Sequence, residues 1–351
     1  MAGSRDTGSA RAAQIRVAII DDSPSMRATI RQVIARDPSL RVVGEAADAY
    51  EARTLIKATD PDVVTLDIEM PRMNGLAFLE KVMRLRPMPV IMVSSLTDRG
   101  CDAAVEAMSI GAVDCVVKPT PANPHSLEIL PEKIRVASKA RIPSRPAAPA
   151  AAPREPAGPY RRMIAIGAST GGVEALTKIL TGFPAQCPPT LIVQHMPGHF
   201  TAKLARRLDS RCAMRVVEAR QGDPIAAGTV YLAPGSDYHL ALSSGPPFRC
   251  RLVEGPTENG HRPSVDRLFT SMMAAAPNVV GALLTGMGTD GARGLKALSE
   301  AGCSTLVQDR ESCVVYGMPK AALELGTPAA CISLDNLARQ LLSEASRAIS
   351  P

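Results

Sequence analysis

Short apolar runs alternate with amphipathic segments five times in the first 140 residues. Each run has the length of a buried strand, and the segments between the runs space their apolar residues as helices do. Ser23 is placed to cap the first helix, with Pro24 at its first position. The pattern predicts an α/β domain over residues 15–140 with a doubly wound parallel sheet. Its strands are predicted at 16–20, 41–44, 63–66, 90–93 and 115–117.

The alternation stops at residue 141. Residues 141–159 contain six prolines, six alanines and one large apolar residue, and such a composition cannot bury a core. We expect an extended linker that spans on the order of 60 Å at ~3.1 Å per residue. Residues 1–14 are small and polar, lack the apolar stretch of a signal peptide, and are predicted to be disordered.

Residues 160–351 predict a second doubly wound α/β domain. Buried strands that alternate with helical patterns are predicted at 164–167, 190–194, 279–285 and 304–307. Four closely spaced runs interrupt this plan and are joined by turns rich in proline, glycine and serine. We expect them to form an inserted β-hairpin or meander. These runs are 215–218, 229–233, 238–241 and 248–253.

Composition narrows the class of protein. The net charge is +6, but the basic residues are scattered and aromatic residues make up 3% of the chain, which argues against a nucleic-acid surface. No apolar run reaches 18 residues, so we expect no membrane insertion and a cytoplasmic location. The eight cysteines form no Cys-x-x-Cys pair, which favours free thiols over a disulfide or zinc framework.

Polar residues follow four strands of the first predicted sheet. Asp21 and Asp22 follow the first strand, Asp67 the third, Ser94 the fourth and Lys118 the fifth. Because the carboxyl ends of parallel strands share one edge, we expect these side chains to converge. Three carboxylates in one cleft favour a hard divalent cation such as Mg2+, and a lysine beside them suits a phosphoryl group. Each residue alone could be an ordinary surface residue; the five together indicate a site.

This segment resembles the receiver domain of two-component response regulators, which has a flavodoxin-like (βα)5 fold. The resemblance implies that Asp67 is the phospho-accepting aspartate. It also implies that Asp21, Asp22 and Asp67 bind Mg2+, with the backbone carbonyl of Glu69 completing the site. Mg2+ is then the cofactor of receiver phosphorylation, and a histidine kinase is the phosphodonor.

The same resemblance assigns the two remaining polar residues. Ser94 is the switch hydroxyl and Lys118 contacts the phosphoryl group. Many receivers carry an aromatic switch residue three positions before this lysine, whereas this chain has Cys115. The aromatic part of the switch is therefore not expected here, and the effect of Cys115 is left open.

In the second domain, three polar residues lie just after predicted strands. Ser169 lies in a glycine-rich turn at 167–172, His195 directly follows the second strand, and Asp290 lies in a glycine-rich loop at 285–291. A serine hydroxyl becomes a nucleophile when a base is within hydrogen-bond reach and a carboxylate orients that base. Residues on one sheet edge can meet this requirement, so the pattern favours a Ser-His-Asp hydrolase.

Two other chemistries fit these motifs less well. The glycine-rich turn could bind a nucleotide phosphate, but Ser169 replaces the second glycine of the dinucleotide fingerprint and the Walker lysine is absent. His195 and His199 have a spacing that can bind zinc on a helix, but Pro197 and Gly198 interrupt that helix. The other histidines have no partner that the sequence identifies.

The ordered motifs resemble the CheB family of chemotaxis response regulator methylesterases. A receiver and a proline-rich linker precede four motifs: Gly-Ala-Ser-Thr-Gly-Gly at 167–172, Gln-His-Met-Pro at 194–197, Arg-Pro-Ser-Val-Asp at 262–266 and Thr-Gly-Met-Gly-x-Asp-Gly at 285–291. The resemblance implies Ser169 as nucleophile, His195 as base and Asp290 as orienting acid. Met287 would supply an oxyanion-binding amide and Thr170 would help to position the histidine. The role of 262–266 is left open.

The resemblance also implies a reaction and its partners. It implies hydrolysis of glutamate methyl esters on methyl-accepting chemotaxis receptors with release of methanol, and deamidation of receptor glutamines. The esterase chemistry needs no cofactor, and the chemotaxis histidine kinase supplies the phosphoryl group. An alternative is a response regulator with a DNA-binding or non-catalytic output domain. The receptor glutamates, the pathway, the strength of receiver inhibition and the oligomeric state are not indicated by the sequence.

Overall fold

The computed structural model describes residues 14–142, 160–235 and 237–348. Most of the predicted linker and nearly all of the predicted disordered terminus lie outside these residues. The described part of the chain forms two α/β units, which we call the amino-terminal unit (14–142) and the carboxyl-terminal unit (160–348). Within it, no helix combines the length and the apolar composition needed to cross a bilayer.

The amino-terminal unit confirms the predicted (βα)5 plan. Its strands form one parallel sheet in the order β2-β1-β3-β4-β5, with helices on both faces. Ser23 caps the first helix as predicted, because its hydroxyl accepts the amide of Met26 at 3.3 Å. The elements are β1 (Ile15–Ile20), α1 (Pro24–Ala35), β2 (Leu40–Ala46), α2 (Ala49–Thr59), β3 (Val63–Asp67), α3 (Gly75–Leu85), β4 (Val90–Ser94), α4 (Asp98–Ile110), β5 (Asp114–Val117) and α5 (Leu130–Ala137).

The carboxyl-terminal unit is built on a seven-stranded parallel sheet in the order β14-β13-β12-β6-β7-β9-β8. Strands β10 and β11 form a separate antiparallel hairpin. The elements are β6 (Met163–Ala168), α6 (Gly172–Thr181), β7 (Thr190–Gln194), α7 (Gly198–Asp209), β8 (Arg215–Glu218), β9 (Thr229–Leu232), β10 (His239–Leu242), β11 (Cys250–Val253), α8 (Val265–Met272), β12 (Val279–Leu283), α9 (Ala292–Glu300), β13 (Ser304–Gln308), α10 (Met318–Glu324), β14 (Ala330–Ile332) and α11 (Leu334–Ser346).

The inserted hairpin is confirmed at β10 and β11, but the prediction that β8 and β9 belong to the same insertion is wrong. β9 pairs in parallel with both β7 and β8 and thereby extends the main sheet. The physical reason is burial on both faces of β9, where Val230, Tyr231 and Leu232 are at most 3% exposed. A strand of a one-sided meander would instead expose alternate residues.

The two units share an apolar interface. Helix α4 packs against α6 and α7, and one apolar cluster includes Ala104 of α4, Leu176 of α6 and Phe200 of α7. Charged residues border this cluster. Lys203 of α7 forms ion pairs with Asp98 and Asp102 of α4 at 3.0 and 3.1 Å. The carboxyl ends of β6 and β7 therefore lie close to the amino-terminal unit.

We expect Phe269→Ala to destabilise the carboxyl-terminal unit by about 3–5 kcal/mol, because Phe269 is fully buried in its core and truncation leaves a cavity. The measurement is the urea dependence of unfolding. Leu325→Ala is the control, because Leu325 is 43% exposed. Equal losses in the two variants would contradict the assigned core.

Candidate active site

Ser169 lies in the tight turn between β6 and α6. Its amide donates to the carbonyl of Thr285 at 3.0 Å, and its carbonyl accepts the amide of Gly172 at 2.7 Å. Gly171 closes the turn with a φ of 78°, and a Cβ at this position would lie 2.6 Å from Cβ of Val314. The sequence therefore builds a rigid turn at the end of a buried strand. Ser169 itself is 8% exposed.

His195 directly follows β7, the neighbour of β6 in the sheet. Its amide donates to the carbonyl of Ala168 at 3.0 Å, so its backbone is registered against the strand that ends at Ser169. Its Nε2 bonds to Oδ2 of Asp290 at 2.8 Å. Nδ1 is buried and has no hydrogen-bond partner among the residues described. With Nε2 donating to a carboxylate, Nδ1 carries the lone pair that can accept a proton.

Asp290 is fully buried and is surrounded by donors. Burial raises the pKa of this carboxyl, but the bond and charge of His195, with the other donors, outweigh burial and hold its pKa well below the usual range. It is therefore a carboxylate at neutral pH. Besides His195, its donors are Asn259 Nδ2 at 3.0 Å, Ser264 Oγ at 2.8 Å, Val265 N at 2.7 Å and Asp266 N at 3.2 Å.

The 262–266 motif, whose role the sequence left open, thus provides most of the donors to Asp290. Ser264 also caps α8, since its hydroxyl accepts the amide of Arg267 at 3.3 Å. Asp266 in turn accepts the amide of Gly294 at 2.7 Å, which joins α8 to α9. The sequence does not indicate this role because the motif does not directly follow a predicted strand, so the rule for strand ends does not place it near Asp290.

His261 was not predicted as a site residue, yet its ring stacks on that of His195. The ring centroids are 3.8 Å apart and the planes differ by 8°. Burial, together with the neighbouring His195, lowers the pKa of His261 to about 4, so its ring is neutral at pH 7. Its position next to the 262–266 motif is the only sequence signal that could have suggested it.

The two predicted supporting residues have different surroundings. The backbone at Gly286, next to Met287, lies against the Ser169 turn, and a Cβ at 286 would lie 2.6 Å from Cβ of Ser169. Thr170 was predicted to help position the histidine. Its hydroxyl donates to Oδ2 of Asp114 in the amino-terminal unit at 3.2 Å.

The site opens into the space between the units. A cavity of about 40 Å3 is lined by Ser169 and His195 on one side and by Asp114 and Lys133 on the other. A wider cleft of about 610 Å3 reaches the same serine and histidine and is also lined by His261. Lys133 forms an ion pair with Asp114 at 2.6 Å. The amino-terminal unit therefore forms one wall of the approach to Ser169.

The predicted acidic site also forms. Ligand oxygens of Asp21, Asp22 and Asp67 lie within 4.8 Å of one another. Lys118 Nζ lies 2.8 Å from Asp67 and 3.2 Å from Asp21. Burial and the charge of Asp21 raise the pKa of Asp67 to about 6, although Lys118 opposes the shift. One lysine does not balance three carboxylates, so the donor set fits a divalent cation with oxygen ligands.

Two further predicted residues, Glu69 and Ser94, adjoin this site, whereas Cys115 lines the cavity at Ser169 and His195. The backbone of Glu69 lies beside Asp67 and counteracts the rise in the pKa of its carboxyl. The Ser94 hydroxyl donates to the carbonyl of Gly100 in α4 at 2.9 Å, so it is bonded to α4 in this structure. Cys115 is buried on β5, and burial raises the pKa of its thiol far above the usual value. This thiol is therefore neutral and unreactive.

Comparison with known proteins identifies relatives of both units. The family model for CheB methylesterase matches residues 164–341, and that for the response regulator receiver domain matches residues 17–127. The chain is 50% identical over 340 residues to a Caulobacter vibrioides protein named protein-glutamate methylesterase/protein-glutamine glutaminase 1. This alignment covers 95% of this chain and 99% of that protein. An Agrobacterium fabrum protein-glutamate methylesterase/protein-glutamine glutaminase is 50% identical over 335 residues, with 93% and 95% coverage.

A solved structure supports the fold of the carboxyl-terminal unit. The crystal structure of the Thermotoga maritima CheB methylesterase catalytic domain matches with a TM-score of 0.50 and 34% sequence identity. The match covers 52% of this chain and 97% of that chain.

We expect Asp290→Asn to lower the free energy of unfolding by about 3 kcal/mol at pH 7, because the donors around residue 290 lose their anion. The folded pKa of Asp290 is depressed, so its contribution is complete above the unfolded value of about 3.9 and is lost as the pH falls below it. The difference between variant and wild type should therefore shrink below about pH 4.

The measurement is urea unfolding at several pH values between neutral and acid. Asp335→Asn is the control, because Asp335 is an exposed partner of Lys178. A difference for Asp290→Asn that stays constant across the acid range would contradict the assigned ionisation.

Proposed function

The chain belongs to the CheB methylesterase family and carries a receiver domain, and we propose that it is a phosphorylation-regulated hydrolase of chemotaxis signalling. Its substrates are glutamate methyl esters on methyl-accepting chemotaxis receptors, and it also deamidates receptor glutamines. The observation that carries the proposal is the His195–Asp290 pair beside Ser169, at the ends of strands that are adjacent in the sheet. The names of the relatives agree with this activity.

The catalytic steps follow from the donors and acceptors at the site. Ser169 Oγ attacks the ester carbonyl while His195 Nδ1 takes its proton, and Asp290 stabilises the imidazolium. The amide of Met287 stabilises the oxyanion. The imidazolium then protonates the departing methoxide, which leaves as methanol. A water molecule, deprotonated by His195, cleaves the acyl-enzyme and restores Ser169. With a glutamine substrate ammonia leaves instead, and no cofactor takes part.

The amino-terminal unit supplies regulation. Asp67 accepts the phosphoryl group from the chemotaxis histidine kinase, and Asp21, Asp22 and the Glu69 carbonyl join it in holding Mg2+. When bound, the cation neutralises the charge that accumulates on the carboxylates and the phosphoryl oxygens. Lys118 contacts the phosphoryl group. The Ser94 hydroxyl leaves the carbonyl of Gly100 to bond the same group, and this exchange changes the first turn of α4.

Helix α4 connects the Asp67 site to the cleft through which a substrate reaches Ser169. In the structure α4 lies on α7, and the amino-terminal unit walls the approach to Ser169. We infer that the unphosphorylated receiver restricts the entry of a receptor segment and that phosphorylation shifts the population toward an open arrangement. Two features maintain the closed arrangement: the Lys203 ion pairs with α4 and the bond between Thr170 and Asp114.

We expect Ser169→Ala to reduce methanol release from methylated receptors by about a thousandfold or more, because the nucleophile is removed. Phosphorylation of Asp67 by a small-molecule phosphodonor with Mg2+ should be unchanged. Ser210→Ala is the control, since this serine is exposed and its hydroxyl donates to the carbonyl of Arg207 in its own helix turn. An active Ser169→Ala protein would exclude Ser169 as the nucleophile and with it the proposed mechanism, whereas a wild-type protein that releases no methanol would favour a non-catalytic output.

We expect Lys203→Glu to raise methanol release by the unphosphorylated protein about threefold to tenfold, because it places like charges where two ion pairs now join α4 to α7. Activity of the phosphorylated protein should change little. Added salt should reduce the effect of the substitution.

Two variants control this experiment. Lys178→Glu reverses a charge that pairs with Asp335 inside the carboxyl-terminal unit, so basal activity should stay at the wild-type level. Adding Asp98→Lys and Asp102→Lys to Lys203→Glu should restore low basal activity. A triple variant as active as Lys203→Glu alone would show that these charges do not restrict access.

A further inference from the structure

Gln194, the last residue of β7, connects the nucleophile turn to the histidine. Its side chain is buried, with 3% of the residue exposed. Its Nε2 donates to the carbonyl of Ser169 at 2.9 Å and to the carbonyl of His195 at 3.1 Å. One amide nitrogen therefore joins two backbone carbonyls that belong to the ends of neighbouring strands.

The orientation of this amide is determined by its surroundings. Turning it over would place Oε1 against two carbonyl oxygens, which repel it, so the NH2 group must face Ser169 and His195. In that orientation Oε1 is buried and, among the residues described, has no hydrogen-bond partner. A buried acceptor without a partner is destabilising, so the oxygen does not explain why a glutamine occupies this position.

Gln308 shows what a fully satisfied glutamine looks like in the same sheet. It ends β13 and is also buried. Its Oε1 accepts the amide of Thr285 at 2.9 Å, and its Nε2 donates to the carbonyl of Ser312 at 2.8 Å. Gln194 uses only its NH2 group, and that group contacts the backbone of both the proposed nucleophile and the proposed base.

The first residue of α6 leaves room for this contact. A Cβ at Gly172 would lie 2.1 Å from Oε1 of Gln194, so any larger residue would displace the carboxamide. Other backbone bonds attach the Ser169 turn to β12 and α6. Beyond the parallel pairing of β6 with β7, the bond from the His195 amide to Ala168 and the carboxamide of Gln194 link the end of this turn to β7.

We propose that Gln194 is a positioning residue for the esterase reaction: its carboxamide NH2 fixes the Ser169 turn relative to His195. This inference rests on the proposed function. Proton transfer from Ser169 Oγ to His195 Nδ1 requires a hydrogen-bond distance between these atoms, and a displacement of about 1 Å can cost about a hundredfold in rate. The residue contacts no substrate and acts through the two residues that it joins.

The test compares Gln194→Met and Gln194→Glu in the full chain, phosphorylated by a small-molecule phosphodonor with Mg2+. Both variants keep the length of the side chain and remove the NH2 donors. We expect kcat for methanol release to fall about tenfold to a hundredfold while KM stays within about twofold. Inactivation by phenylmethylsulfonyl fluoride, which sulfonylates an activated serine, should slow by the same factor.

Thr190→Val is the matched control, because it removes a buried hydrogen bond at the opposite end of β7, where the hydroxyl donates to Pro188. Its kcat should stay at the wild-type level even if its urea midpoint falls. Should Gln194→Glu fail to fold because its carboxylate lies against two carbonyl oxygens, Gln194→Met decides the question alone.

Three outcomes would overturn the inference. The first is a wild-type kcat in a folded Gln194 variant. The second is a loss confined to KM with normal inactivation by the sulfonyl fluoride, which would indicate a contact with substrate. The third is an equal kcat loss in Thr190→Val. Each leaves the proposed function intact as long as the wild-type protein releases methanol; a folded, phosphorylated wild-type protein that releases none would instead remove the proposed function itself.

Discussion

The carboxyl-terminal unit depends on the burial of one carboxylate. An ionised aspartate removed from water is tolerated only when donors replace its hydration. Asp290 obtains these donors from α8, from the loop before it and from His195. Because the donors come from distant parts of the chain, satisfying the carboxylate also fixes where α8 lies. The same bonds hold the imidazole in one tautomer, so one requirement of folding also orients the proposed base.

The amino-terminal unit treats its buried carboxylates in the opposite way. Asp21 and Asp67 share one lysine, and the pKa of Asp67 is raised to about 6 because burial and repulsion exceed the stabilisation from Lys118. An acidic cluster left short of positive charge favours both cation binding and a chemical change at Asp67. The negative charge of Asp290 is balanced by its hydrogen-bond donors. The negative charge around Asp67 is not balanced, so this site favours the binding of a cation.

Helix α4 and strand β5 connect the Asp67 site to the Ser169 site. Ser94 at the end of β4 bonds to the first turn of α4, and α4 lies on α6 and α7 of the carboxyl-terminal unit. Asp114 at the start of β5 bonds to Thr170, the residue after the proposed nucleophile. A rearrangement of α4 and β5 would therefore move the wall of the cleft. It would leave the hydrogen bonds to Asp290 unchanged, because all the donors of these bonds lie in the carboxyl-terminal unit.

Sequence patterns predicted the site residues that follow strands, but not those that lie in loops or depend on the packing of the two units. Ser169, His195 and Asp290 could be brought together because parallel strands end at one edge, which is a rule of topology rather than of distance along the chain. His261 and Asn259 escaped prediction because their positions depend on a loop whose path no periodicity encodes. The β8–β9 pair was misassigned for a related reason, since short strands joined by turns look alike in sequence whether they pair with each other or extend a larger sheet. The contact of Thr170 with Asp114 depends on how two units pack, which neither unit's pattern contains.

The orientation of the imidazole, with Nε2 toward Asp290 and Nδ1 free to accept a proton, explains why the backbone around His195 is closely fixed. Asp290 binds Nε2, so the proposed proton acceptor is Nδ1, the ring nitrogen nearer to the main chain. A nucleophile that approaches Nδ1 must come from the backbone side of the ring, and its position is then set by the register between β6 and β7. A base that accepts at Nε2 could tolerate some shift of its own strand by rotating the side chain, but acceptance at Nδ1 leaves little such freedom. The bonds from His195 and Gln194 to residues 168 and 169 hold this register at the point where it matters for proton transfer.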